Sequence, residues 1–132
     1  MRVRNERTGA VLADRVQRTR GAREGARGLL GRSGLEPGEG LWIVGSMGVH
    51  SFGMRFPIDV AYLDGDLRVL HVIETMKPNR LGRLSPRTET VLELPAGTLA
   101  ASGTRRGDRL AFERDPTDAP ASTAAEDPSQ PR

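Results

Sequence analysis

From Val11 to Glu113 the apolar residues come in short runs, and glycine, proline or aspartate closes most of them. Runs of this length suit strands, and the alternation inside them suits strands that bury one face. Val11–Gln17 reads as a first strand and Leu41–Val44 as a second. Pro57–Leu63 is a third, with Ile58, Val60 and Tyr62 on one face and Asp59, Ala61 and Leu63 on the other. Asp64-Gly65-Asp66 is hairpin-turn chemistry, and Leu67–Thr75 returns as the partner strand. A loop punctuated by Pro78, Gly82 and Pro86 leads to a strand at Thr88–Leu94, which Pro95 stops. Ala96–Ser102 reads as a short helical turn, and Gly107-Asp108 turns into a last strand at Arg109–Glu113. The expected architecture is mostly β, an antiparallel sandwich or barrel with no parallel sheet.

One helix interrupts this pattern. Thr19 can cap a short N-terminal helix over Arg20–Leu30, with Ala22, Ala26, Leu29 and Leu30 on one side and arginines on the other. Gly21, Gly25 and Gly28 each cost it about 1 kcal/mol relative to alanine, so it needs tertiary packing to persist.

A length of 132 residues bounds the chain to one domain, and the absence of cysteine excludes disulfides, thiolate metal sites and thiol catalysis. Residues 1–10 read as an N-terminal extension, 11–114 as the domain, and 115–132 as a disordered acidic tail without a large apolar residue. The first residues hold no apolar stretch long enough for a signal peptide, and nothing approaches a membrane span, so a cytoplasmic location is expected. Residues 1–34 carry nine arginines against Glu6, Asp14 and Glu24. With Lys77 the only lysine, this skew reads as composition bias, and no nucleic-acid reader motif accompanies it.

Chemistry concentrates in Val49–Asp64, which crowds His50, Phe52, Met54, Arg55, Phe56, Asp59 and Tyr62 into one stretch. Drawn extended, it places His50, Phe52 and Met54 on one face and Arg55 on the other. His50 and Ser51 then point apart and form no serine–histidine pair. Asp59 sits between Ile58 and Val60 near the core edge and needs a cation or donors, for which Arg32 and Arg55 are candidates. Glu93, between Leu92 and Leu94, reads as a surface glutamate on a one-sided strand. Gly40–Gly45 has P-loop glycine spacing but lacks the lysine, and the two histidines show no metal-ligand spacing. No metal or cofactor is expected.

Gly28-Leu29-Leu30-Gly31-Arg32, His50-Ser51-Phe52-Gly53-Met54-Arg55-Phe56-Pro57-Ile58-Asp59-Val60, Leu92-Glu93-Leu94-Pro95-Ala96-Gly97 and Gly107-Asp108 carry a resemblance. In order and approximate spacing they are similar to the prokaryotic family of domain of unknown function 192. The resemblance covers about Val11 to Glu113 and implies a small antiparallel β-sandwich of jelly-roll type with a short helix near the front. It implies no reaction. Leu30 stands where many members carry methionine, and many members begin with an export or lipid-anchor signal that these first residues do not show.

Arg32, His50, Met54, Asp59 and Glu93 are expected to converge in space, with Arg55 beside them, as a tentative ligand site. Three readings compete. In the favoured one the chain is a non-enzymatic binding or accessory module, using the His50–Asp59 surface to hold a small polar ligand or a protein segment. In the second, His50 and Asp59 are the acid/base pair of an enzyme acting on a small polar substrate. In the third, the motif is a buried polar network that fixes a corner of the fold.

Overall fold

The computed structural model describes residues 1–21 and 29–114. The helix expected over Arg20–Leu30 falls mostly on residues 22–28, outside the described residues, as does the tail from 115 onward. The strands are β1 (Arg2–Asn5), β2 (Val11–Ala13), β3 (Arg15–Arg20), β4 (Glu39–Val44), β5 (Ile58–Leu63), β6 (Val69–Met76), β7 (Thr90–Pro95) and β8 (Leu110–Glu113). A short helix, α1 (Thr98–Ser102), lies between β7 and β8. They form a three-stranded sheet ordered β2-β1-β8 and a five-stranded sheet ordered β3-β4-β7-β5-β6, and neither closes into a barrel.

Three features depart from the sequence reading. Val11–Gln17 is not one strand: the chain breaks at Asp14, and β2 and β3 join different sheets. The amides of Asp14 and Arg15 both donate to the Gly38 carbonyl at this switch, 3.0 and 2.9 Å away. Second, β3 and β4 pair in parallel, so the sheet is not wholly antiparallel. The connection between them spans residues 21–38, long enough to return the chain to the same end of the sheet. Third, residues 1–10, read as an extension, contribute β1, the middle strand of the three-stranded sheet. Val3 and Asn5 on this strand are fully buried.

The core lies on both faces of the five-stranded sheet. All six residues of β5 are buried. Ile58, Val60 and Tyr62 pack with Leu41, Ile43, Met54, Phe56 and Val91. Ala61 and Leu63 face the other way and pack with Leu92, Leu94, Leu99, Val3 and Leu110. This second cluster draws on both sheets, and Trp42 of β4 stacks on Phe112 of β8 with ring centres 3.8 Å apart.

Asn5 and Asp108 tie the N-terminal hairpin to the turn before β8. The Asn5 side-chain amide donates to Asp108 (2.9 Å) and Thr104 (3.0 Å), while its carbonyl accepts from the amide of Arg7 at 2.8 Å. The Arg7 guanidinium donates to Asp108 at 2.6 Å and, with Asn5 and the Arg105 amide, holds that carboxyl well below its ordinary pKa. Gly107-Asp108, a motif position in the sequence, is therefore a structural joint.

Candidate functional site

The central motif is a loop from Val49 to Pro57, not an extended segment. Gly53, at φ 81°, turns the chain into a conformation that suits glycine. His50, Phe52 and Met54 therefore do not share a face. Met54 is buried in the cluster with Val60 and Leu41, whereas Phe52 is half exposed and stacks on His50 with ring centres 5.1 Å apart. Ser51 is fully buried and latches this loop to the next one. Its hydroxyl donates to the Lys77 carbonyl at 2.6 Å and accepts from the Arg80 amide at 2.9 Å.

Among the described residues, Asp59 meets no arginine. It is fully buried, and its carboxylate accepts from the amides of Thr75 (2.8 Å), Gly97 (3.1 Å) and Leu99 (2.9 Å). Two of these are orphan donors at the start of α1, whose own N-cap, Gly97, has no side chain to offer. The third is freed by a bulge on β6: Ile58 pairs with Met76 but Val60 pairs with Ile73, so β6 carries an extra residue opposite Asp59. Thr75 holds φ 56° within that bulge. The cations proposed for Asp59 lie elsewhere. Arg32 donates to Glu39 at 2.7 Å, and Arg55 is exposed.

Glu93 is not at the surface either. β7 is the middle strand of its sheet, and apolar clusters cover both of its faces. Glu93 pairs with Leu41 on one side and Val60 on the other, and it is 3 % exposed. Burial pushes its carboxyl up to a pKa of about 8, and among the described residues no donor compensates. Asp59 pairs with Leu94 and Glu93 with Val60, so the two acids point to opposite faces of the sheet.

Of the six candidate residues, only Met54 and Glu93 therefore share a packed face. Arg32 lines a cavity of about 50 Å³ at its margin, with Leu29, Gln17 and Leu41. His50 is part of a different surface, and no hydrogen bond joins it to Asp59. Its Nδ1 accepts from the Phe52 amide at 3.2 Å. Among the described residues, no three His, Cys, Asp or Glu side chains gather as metal ligands.

The surface that sequence reasoning missed is an apolar groove of about 540 Å³ beside His50. Met47, Val49, Leu81 and Leu84 line it, together with the backbone of Gly45 and Gly82. Two loops build it by pairing: the Gly82 amide donates to Val49, Ser85 to Met47 and Ser51 to Arg80, at 2.8, 3.0 and 2.8 Å. Leu81 and Leu84 are 75 % and 71 % exposed. The available signal was two leucines in a Gly/Pro-punctuated loop where no strand pattern needs them.

Gly82 is where the loops press closest. A Cβ there would lie 2.7 Å from the Tyr62 hydroxyl and 2.8 Å from Val49 Cγ1. That hydroxyl donates to the Arg83 carbonyl at 2.7 Å, so it anchors the same loop. Gly82→Ala is expected to lower stability by roughly 1–3 kcal/mol, the usual cost of overpacking. Urea unfolding checks this, and a midpoint equal to wild type would show that the loops separate freely.

Residues 3–112 match the family model described as uncharacterized ACR, domain of unknown function 192. The chain belongs to this family. Two solved structures share the fold of this DUF192 chain. One is a protein of unknown function from Novosphingobium aromaticivorans DSM 12444, with TM-score 0.73 and 23 % identity, covering 85 % of this chain and 84 % of its own. The other, from Sinorhizobium meliloti 1021, is described as a candidate transcription regulator, with TM-score 0.71 and 24 % identity over 83 % of this chain and 91 % of its own. No functionally curated protein matches the DUF192 chain.

Proposed function

We propose that this DUF192 chain is a non-enzymatic docking module of the jelly-roll sandwich type, and that its working surface is the groove between residues 45–50 and 81–84. The observation that carries this reading is the groove itself. It is a concave apolar surface of about 540 Å³ on which Met47, Leu81 and Leu84 remain 48 %, 75 % and 71 % exposed. Side chains of this size are left in water where a partner covers them. Of the motif residues, Ser51 joins the two groove loops, and Asp59 holds the β6 bulge that precedes the second of them.

An acid/base enzyme has less support. His50 and Asp59 have separate hydrogen-bond partners, and Glu93 is sealed in the core. A small polar ligand also fits poorly, because the polar side chains around the groove already have internal partners. Ser46 donates to the Gly48 carbonyl at 2.6 Å, and Asn79 accepts from the Gly53 amide at 2.9 Å.

The test is titration with 1-anilinonaphthalene-8-sulfonate, an aromatic dye with one sulfonate charge that fluoresces when shielded from water. Wild type should bind it saturably, and the double variant Leu81→Ser, Leu84→Ser should lose at least tenfold in affinity, a loss in keeping with the removed apolar contact. Equal binding by both proteins would refute the groove as the docking surface.

A further inference from the structure

The two segments that build the groove, residues 45–57 and 77–88, contain Arg55, Lys77, Arg80, Arg83 and Arg87 and no aspartate or glutamate. All five cations are exposed, and among the described residues none of them forms an ion pair. Elsewhere on the described surface the arginines divide: Arg18, Arg68, Arg105, Arg106, Arg109 and Arg114 are exposed without an ion pair among the described residues, and five others are paired. Arg2 and Arg4 pair with Glu113, Arg7 with Asp108, Arg15 with Asp14 and Arg32 with Glu39. What marks the groove segments is that cations without any acidic residue among them share the segments with exposed apolar side chains. In sequence the exposed Leu81 and Leu84 alternate with Arg80, Arg83 and Arg87, and Met47 and Phe52, both about half exposed, lie on the other segment.

Resting on the docking reading above, we propose that the partner is an anionic lipid bilayer, and that the 77–88 loop seats at the headgroup level with Leu81 and Leu84 entering the acyl boundary. Two observations favour a bilayer over a protein segment. First, apart from its cations the surface offers apolar area and few free polar groups. His50 Nδ1, the Ser46 and Ser51 hydroxyls and the Asn79 side-chain carbonyl all have partners inside the loops. A peptide needs its backbone groups matched, whereas a fluid interface does not. Second, the leucines are more exposed than a groove floor requires. They stand out from the loop, as side chains do that leave water by insertion. Five unopposed cations around them suit a negative surface potential. Attachment of this kind is peripheral: among the described residues no helix is long and apolar enough to cross a membrane.

The experiment is flotation of the full chain with two kinds of vesicle, pure phosphatidylcholine and phosphatidylcholine with about one third phosphatidylglycerol. Three proteins are compared: wild type, Leu81→Ser with Leu84→Ser, and Arg80→Glu with Arg87→Glu. All substituted positions are exposed, so matching melting temperatures should confirm that the variants fold. Wild type should float with the phosphatidylglycerol vesicles and not with the neutral ones. Each variant should lose at least about tenfold in partitioning, in line with the loss of apolar insertion or of two charge contacts. Raising salt to about 0.5 M should weaken wild-type binding. Absence of flotation overturns the lipid assignment, and so does flotation that survives the leucine substitutions, because charge alone would then explain it. An acidic Asp/Leu model peptide is the comparison arm. Leucine-dependent binding of that peptide without flotation overturns the lipid assignment and leaves the docking groove standing. If peptide, vesicles and dye all fail to distinguish wild type from the leucine variant, both readings fall.

Discussion

Asp59→Ala is expected to lower the stability of the fold by roughly 3 kcal/mol or more, because it leaves three backbone donors without an acceptor, each at a cost of about 1–3 kcal/mol when buried. The three are the amides of Thr75 on β6, the hairpin partner of β5, and of Gly97 and Leu99 at the start of α1. Loss of the carboxylate should therefore be felt at both places. Hydrogen exchange should show lost protection at Leu99, at the start of α1, and at Thr75 in the β6 bulge before other strands respond. Asp59→Asn, which keeps one acceptor oxygen but sets an NH2 group among donors, should fall between alanine and wild type. A urea-derived loss below about 1 kcal/mol for the alanine variant would mean that water replaces the carboxylate. Asp59 would then be dispensable to the frame that holds the groove loops.

Glu93→Gln is expected to act in the opposite direction. Burial raises the Glu93 pKa from 4.5 to about 8, so the folded protein retains a proton that the unfolded chain releases over that range. Stability from this group is complete below about pH 4.5 and falls as pH rises, until it levels off above about pH 8. Each unit is worth about 1.4 kcal/mol, so the cost near pH 7 is roughly 3 kcal/mol. Glutamine is neutral at every pH and escapes it. The variant should therefore match wild type near pH 4.5, exceed it by a few kcal/mol at pH 8, and show a flatter profile between. Guanidinium unfolding at pH 5 and pH 8 measures both. Parallel pH profiles for the two proteins would show that Glu93 has an ionised partner or reaches water. The same chemistry removes Glu93 as a base at neutral pH, since its carboxyl is largely protonated among Leu41 and Val60.

The local pattern of the sequence was enough for most strands. Alternation in Ile58–Leu63 correctly separated Ile58, Val60 and Tyr62 from Ala61 and Leu63, because a strand's side chains obey a period of two whatever surrounds them. Asp64-Gly65-Asp66, Pro95 and Gly107-Asp108 marked turns for similarly local reasons. The break at Asp14 had no local marker. Residues on either side read as one strand, and only the competition of two sheets for the chain divides them. The parallel pairing of β3 and β4 depended on where a long connection delivers the chain, which strand composition does not encode.

The acids show the same division more sharply. That Asp59 lies near the core edge and must find partners followed from its apolar neighbours and from the cost of an unpaired carboxylate. Which partners it finds did not follow, because backbone amides carry no side-chain signature and a bulge plus a helix start brought them there. Glu93 looked like a surface residue because a single strand does not say whether one or both of its faces will be covered. The groove was hidden for the same reason: Leu81, Leu84 and Met47 are unremarkable loop residues until two loops distant in sequence pair and leave them facing water. The sequence by itself determined most of the strands, most of their turns and the need of Asp59 for partners, through local periodicity and desolvation. Only the tertiary structure decided which sheet each strand joined, what satisfied each carboxyl and where apolar surface remained exposed, because those depend on contacts between segments far apart in the chain.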